Sequence, residues 1–427
     1  MLLKNIDTVF RQDQARTVSH NIDIRIHNGK FDNIGSGLSH NGKTIDCQDK
    51  IALPGLINCH NHTPNIITRG WSDDVSLFPW LETNATVLEH ADRNEKRQAA
   101  KLAAVLMVQT GTTTVNDMWN TYTVDAFTDV GIRALMGSAL ATVEETEEQD
   151  ITAGLKKNEL FIDTYKNHPT IHPTIPIHSV YRSTATLLKQ AHEIAVNQDL
   201  PFHIHISETK QENEEILDRH GMTPTAWLHE QDVLDHRGVL VHAVHLTKED
   251  RTLIANNDAG IAHCPASNLK LGSGIADIDK MKNIPIGLGT DSAASNNSLN
   301  MFREGRIAAL IHKRDDPGKM SAQTILDMMT CEAANMLNMA DTIGSIEEGK
   351  RADIILIDKQ DPTLTPYIGD QGLLSNLIYS FHGHVDMSII NGEIVVSNSS
   401  VTADITPVLD TLEQFCSRVN DRFERPS

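Results

Sequence analysis

Eight times between about residue 51 and residue 343, a short apolar run gives way to a stretch with apolar residues at helical spacing. The strand candidates are Ile51–Cys59, Thr112–Met118, Ile132–Leu140, His172–Ser179, Pro201–Ser207, Val239–Leu246, Ile261–Ala266 and Ile284–Asp291. Amphipathic stretches such as Glu95–Gln109, Ala185–Asn197, Asn213–His220, Lys248–Asn257 and Leu299–Lys313 lie between them. Strand then helix, repeated in this way, predicts a parallel (β/α)8 TIM-type barrel rather than an open sheet. No Gly-x-Gly-x-x-Gly opens a helix after the first strand, which counts against a doubly wound nucleotide fold.

The flanks read differently. Residues 1–52 hold short strand patterns broken by Asn28-Gly29 and Asn41-Gly42. Beyond Gly344, the segments Gly349–Asp358 and Met387–Ser397 have the same character, the second carrying Asn391-Gly392. The two ends are expected to meet in one small β-sandwich, built from residues 1–52 and 344–427 around a barrel of residues 53–343. Val408–Phe423, with apolar residues at helical spacing, predicts a terminal helix.

Composition narrows the partners. A formal charge of -20 argues against nucleic acid and anionic membrane, both of which need basic surfaces. No apolar run reaches the ~20 residues of a membrane span, and the start lacks the pattern of a signal peptide. Cys47, Cys59, Cys264, Cys331 and Cys416 are scattered, odd in number and without Cys-x-x-Cys, so a reducing cytoplasm is expected rather than a disulfide framework. Each is read as a small buried apolar residue.

Chemistry is expected at the C-terminal ends of the strands. The first ends in His60 and His62, the fourth in His178, the fifth in His205 with Glu208 just beyond, the sixth in His242 and the eighth in Asp291. His60 and His62, at i, i+2, share one face of a strand. The spacing alone says little: with 21 histidines in 427 residues, roughly one His-x-His is expected by chance. The chain has three, His60/His62, His203/His205 and His382/His384; the last lies in the flank and is read as structural. Three imidazoles and a carboxylate, His60, His62, His205 and Asp291, suit one divalent ion, zinc before iron(II), which lowers the pKa of bound water to about 7. His203 is read as one layer deeper and His245 as pointing elsewhere. Glu208 is placed to carry a proton to a leaving group, and Asp291 to take the water proton. His242 is placed to hydrogen-bond the attacked group.

These residues, in this order, resemble the amidohydrolase superfamily, in particular its methylthioadenosine/S-adenosylhomocysteine deaminases and the related triazine chlorohydrolases. The resemblance covers Pro54-Gly-Leu-Ile-Asn-Cys-His-Asn-His62, Arg69-Gly70, His203-Ile-His-Ile-Ser-Glu-Thr209 and Val241-His-Ala-Val-His-Leu246. It continues through His263-Cys-Pro-Ala-Ser-Asn-Leu-Lys-Leu-Gly272, Gly289-Thr-Asp-Ser-Ala-Ala-Ser-Asn-Asn-Ser-Leu-Asn300 and Gly344-Ser-Ile-Glu-Glu-Gly-Lys-Arg-Ala-Asp353. It implies a cytoplasmic, homo-oligomeric enzyme with one divalent metal per chain. It also implies that Glu208 shuttles the proton, that His242 lies near the leaving group, and that Trp80 and His178 contact substrate. By the same resemblance Glu89, nine residues past Trp80, holds the ribose hydroxyls.

The sequence departs from that pattern at one place. Relatives acting on S-adenosylhomocysteine carry arginines beyond the third strand, whereas Ala139–Leu155 has none and holds Glu144, Glu145, Glu147, Glu148 and Asp150. Lys156 and Lys157 follow and are the only nearby replacements. An acidic wall disfavours a carboxylate-bearing substrate, so methylthioadenosine, adenosine or a related neutral 5′-substituted adenosine is expected ahead of S-adenosylhomocysteine. A second reading keeps the hydrolase and changes the ring, to guanine or a chlorinated triazine-like heterocycle. A third is an inactive binding protein of the same fold, although every ligand position is filled.

Overall fold

The computed structural model describes residues 1–119, 121–142 and 148–420. Leu56–Asn61, Thr112–Trp119, Arg133–Ser138 and Ile171–Pro173 form one parallel sheet in that order. Ile175–Ser179, Phe202–Ile206, Gly238–His242, Gly260–His263 and Ile286–Leu288 form a second parallel sheet. Their residues are almost all buried, as expected of parallel strands covered on both faces. The helices Arg93–Gln109, Ala185–Gln198, Lys210–His220, Lys248–Asn256 and Met301–Ile311 follow strands as the pattern required. The first begins two residues ahead of expectation because Asp92 and Glu95 close a capping box.

Two expected strands are each divided, for identifiable reasons. His172–Ser179 breaks at Thr174, between two prolines that donate no amide. There the chain changes partners: the Thr174 amide donates to Met136 O at 3.0 Å, and the Ile175 amide to Pro201 O at 2.9 Å. A lone parallel bridge joins Leu140 to Ile177, and at the other end the Asp291 amide donates to His60 O at 3.0 Å. Ile51–Cys59 breaks at Gly55, where any Cβ would drive into the side chain of Thr113. Before that glycine, Lys50–Pro54 pairs with Ile354–Asp358 and Leu2–Phe10; after it, Leu56–Asn61 pairs with Thr112–Trp119.

The two chain ends share a nine-stranded sheet. Ser400–Val401, Glu393–Ser397, Met387–Ile390, Ile354–Asp358, Lys50–Pro54, Leu2–Phe10, Val18–His27 and Lys30–Gly35 are neighbours in that order, with Thr44–Asp46 beside Leu2–Phe10. Asn28-Gly29 and Asn391-Gly392 form two-residue hairpin turns with positive φ at both positions, as expected of such pairs. Asn41-Gly42 makes no hairpin and lies in the loop before Thr44–Asp46. The fully buried Arg133 ties this sheet to the parallel strands, meeting Asp353 through two bonds of 3.0 Å each. The terminal helix is Thr406–Asn420, with Phe415 and Val419 packed in one cluster with Ala99 and Ala103. Residues 421–427, the end of the expected helix included, lie outside the described residues.

Candidate active site

The C-terminal ends of the strands bring His60, His62, His205 and Asp291 to one point, all of them buried. His205 Nε2 lies 3.1 Å from His60 Nε2 and 3.2 Å from His62 Nε2. Asp291 Oδ1 is 3.3 Å from His60 Nε2 and 3.6 Å from His62 Nε2. Ligands bonded to a tetrahedral zinc at about 2.1 Å stand roughly 3.4 Å apart, so these separations fit one such ion.

The outer hydrogen bonds point the same way. His62 Nδ1–H donates to Met118 O at 2.9 Å, and His205 Nδ1–H donates to His178 O. Those bonds leave the lone pairs of both rings on Nε2, facing the centre. His60 Nδ1 meets His203 Nε2 at 3.0 Å, so the same arrangement has His60 donating and His203 lying beneath it, fully buried. Burial drives His60 down to about 3, and pushes His62 and His205 below the usual histidine range. Neutral imidazole is the form that binds metal. Burial alone would raise Asp291, but the imidazoles of His60, His62 and His242 around it hold it well below the carboxylate range.

Glu208 and His242 face each other at the rim of this centre, His242 Nε2 lying 3.6 Å from Glu208 Oε2. Ser273 Oγ donates to Glu208 Oε1 at 3.1 Å, and His242 Nδ1–H donates to Asn268 Oδ1 at 2.8 Å. Burial, helped by the negative charge of Asp291 and opposed by His242, raises the Glu208 carboxyl. His242 also lies close enough to group with His60 and His205, a second possible ligand triad sharing His60. Asp291 Oδ2 accepts from Ser267 at 2.6 Å and Ser295 at 2.9 Å. The backbone is left-handed at Ser207 (φ 49°), His242 (72°), Ala243 (51°) and Asp291 (55°). Such strain concentrates where side chains must leave a strand end at a functional angle.

A cavity opens over this centre, and Trp80 and His178 line it, with Leu88, Trp119 and Arg182 among others. Glu89 is exposed at the end of the helix Leu77–Glu89 and is not among the lining residues. The helix turns Leu77, Trp80, Leu81, Asn84 and Leu88 toward the cavity, a stripe at helical spacing that leaves Glu89 beside it. Lys156 and Lys157 are exposed and line no part of the cavity. The acidic residues Glu144, Glu145 and Glu147, with the side chains of Glu148 and Asp150, lie outside the described residues.

Several site residues had escaped the sequence reading. Trp119, Tyr181 and Arg182 line the cavity, and Ser267 and Asn268 orient Asp291 and His242. Three buried acids stand behind the loops that carry the site. Asp117 accepts the amide of Thr63, the residue after His62; Glu212 accepts the amide of Glu208; Glu304 accepts the amide of Ala266 and the side chain of Asn296. Burial pushes Asp117 and Glu212 up to about 7 and Glu304 up to about 8. Asp117 lies inside a strand and Glu212 and Glu304 in the first turns of helices, positions whose periodicity does not separate a buried acid from a solvated one.

Glu304 carries a measurable consequence. Its folded pKa of about 8 lies above the 4.5 of an exposed glutamate, so between those values the folded chain holds a proton that the unfolded chain has released. Stability then falls as pH rises through that window. Relative to Glu304→Gln, the wild type is expected to lose up to about 1.4 kcal/mol per pH unit. Urea unfolding at pH 5.5 and 7.5 checks this, and parallel curves for the two proteins would refute it.

The amidohydrolase family matches residues 51–395. A 5′-deoxyadenosine deaminase of Methanococcus aeolicus is 35% identical over 405 residues, 91% of this chain and 93% of that protein. A 5-methylthioadenosine/S-adenosylhomocysteine deaminase of Nitratidesulfovibrio vulgaris is 34% identical over 407 residues, 92% of this chain and 91% of the relative. Among solved structures, an adenosine deaminase from Xanthomonas campestris with bound zinc superposes with a TM-score of 0.92 at 26% identity, covering 98% of each chain. Matched over most of its length, with the histidine and aspartate cluster inside that span, the chain belongs to the amidohydrolase family.

Proposed function

We propose that this protein hydrolytically deaminates adenine nucleosides at the exocyclic amine, using one divalent ion, zinc by its donor set. The observation that carries the reading is the meeting of three imidazole lone pairs and Asp291 beside Glu208, on the floor of a cavity with tryptophan in its walls. The activities in the names of its relatives support it. The architecture read with it is a closed (β/α)8 barrel of residues 53–343 beside a β domain from both ends; the Leu140–Ile177 bridge and the bond from Asp291 to His60 favour closure.

When bound, the ion polarises a water so that it is deprotonated near neutrality. His60, His62, His205 and Asp291 would hold it. Asp291, steadied by Ser267 and Ser295, takes the proton of the attacking water and passes it to the departing amine. Glu208, its carboxyl raised by burial, delivers its proton to the adjacent ring nitrogen. His242, oriented by Asn268, accepts the hydrogen bond of the new hydroxyl at Nε2. Water adds, the carbon–nitrogen bond breaks, the hydroxyl proton returns to Glu208 as the carbonyl forms, and ammonia and the oxo-nucleoside leave.

The favoured substrates are methylthioadenosine, adenosine and 5′-deoxyadenosine. Arg182 in the cavity wall is a specific reason to keep a carboxylate-bearing substrate, S-adenosylhomocysteine, as the second reading. Ammonia release by zinc-loaded protein from these four compounds and guanine tests both. The neutral nucleosides are expected to give the highest kcat/KM, guanine none. Release from guanine alone would overturn the proposal, and a clear lead for S-adenosylhomocysteine would favour the second reading.

A further inference from the structure

Glu212 lies in the first turn of the helix Lys210–His220, four residues past Glu208, and is only 2% exposed. An acid at this third helical position ordinarily accepts the amide of the capping residue, which is Thr209. Glu212 reaches past it. Its Oε2 accepts the Glu208 amide at 2.7 Å. Thr209 meanwhile caps the helix by itself, accepting the Glu212 amide at 3.2 Å. The amide that Glu212 holds lies where the strand Phe202–Ile206 has ended and the chain must throw Glu208 toward His242. Ser207 is left-handed there, at φ 49°, a conformation that an ordinary residue keeps only where its surroundings enforce it.

We propose that Glu212 is a positioning residue for the proton shuttle: by holding the Glu208 amide it fixes the Glu208 carboxyl between Ser273 and His242. This rests on the proton-transfer role of Glu208 proposed above. The anchor works through an acceptor oxygen and not through charge. Burial pushes the Glu212 carboxyl up to about 7, and either protonation form offers that oxygen. Glutamine offers it too, whereas alanine and leucine do not.

Steady-state kinetics and hydrogen exchange test the assignment together. Glu212→Ala and Glu212→Leu are expected to lower kcat about 10–100-fold, the scale of a misplacement near 1 Å, with KM and bound zinc unchanged. Glu212→Gln should stay within about threefold of wild type. In zinc-loaded protein, the Glu208 amide should exchange faster in the alanine variant and remain protected in the glutamine variant. Full kcat in Glu212→Ala, an equal loss in Glu212→Gln, or loss of zinc along with kcat would each overturn the proposal. Were the wild type inert on every nucleoside, the functional reading would fail, and exchange at that amide would still decide whether Glu212 anchors the turn.

Discussion

Glu208→Gln is expected to lower kcat for ammonia release by about 10²–10⁴-fold, the usual contribution of a positioned acid or base. Glutamine keeps the size of the side chain and can still accept from Ser273. It cannot give up a proton to a ring nitrogen. Because the proton moves only in the transition state, kcat and kcat/KM should fall together while KM stays near its wild-type value. The loss should persist at every pH, since no ionisation of glutamine restores the missing proton. Bound zinc should be unchanged, as Glu208 stands beside His242 and outside the ligand cluster. Turnover near the wild-type rate would remove Glu208 from the mechanism. A change confined to KM would make it a binding group instead.

How much of this was legible in the sequence depends on what the signal was made of. Histidine and aspartate are uncommon at the ends of buried parallel strands, so His60, His62, His205, His242 and Asp291 announced themselves by position, and the chain folds them to one centre. Helices were legible to within a turn, because their apolar stripes pack against the sheets. Strand limits were less so. Gly55 and the Pro173–Pro176 segment each hand the chain from one sheet to another, and an apolar run gives no sign of which sheet it joins.

The cavity wall was harder still. Trp119 closes the strand Thr112–Trp119, and Tyr181 and Arg182 lie in a 3-10 turn after Ile175–Ser179; where those side chains point depends on tertiary contacts, and no periodicity reports that. Glu89 was legible only through its spacing from Trp80: one residue on a helix turns a side chain by about 100°, and Glu89 stands exposed next to Leu88 of the lining stripe. Asp117, Glu212 and Glu304 gave no sign of burial in the sequence, because burial of a carboxyl is decided by the backbone amides that meet it.

Removing the divalent ion is expected to abolish ammonia release and to lower the thermal stability of the protein. The reason lies in the donor arrangement. Three Nε2 atoms and one carboxylate oxygen converge within 3.1–3.6 Å of their neighbours, and the outer bonds to Met118 and His178 prevent two of the rings from turning a proton inward. Without a cation those lone pairs repel each other in a buried site where little water can screen them. A ligand that binds only the folded state stabilises it by about 2.7 kcal/mol at one hundred times its dissociation constant. Dialysis against a chelator followed by thermal melts with and without added zinc measures that gain directly. Asp291→Asn separates the two effects: it keeps the shape of the side chain, so the metal-free protein should melt near the metal-free wild type. It replaces the one anionic ligand and the group that relays the proton, so zinc should raise its melting temperature far less and restore no turnover. Full activity in the chelated wild type, or a zinc-induced gain in Asp291→Asn equal to that of the wild type, would contradict a metal centre at these four residues.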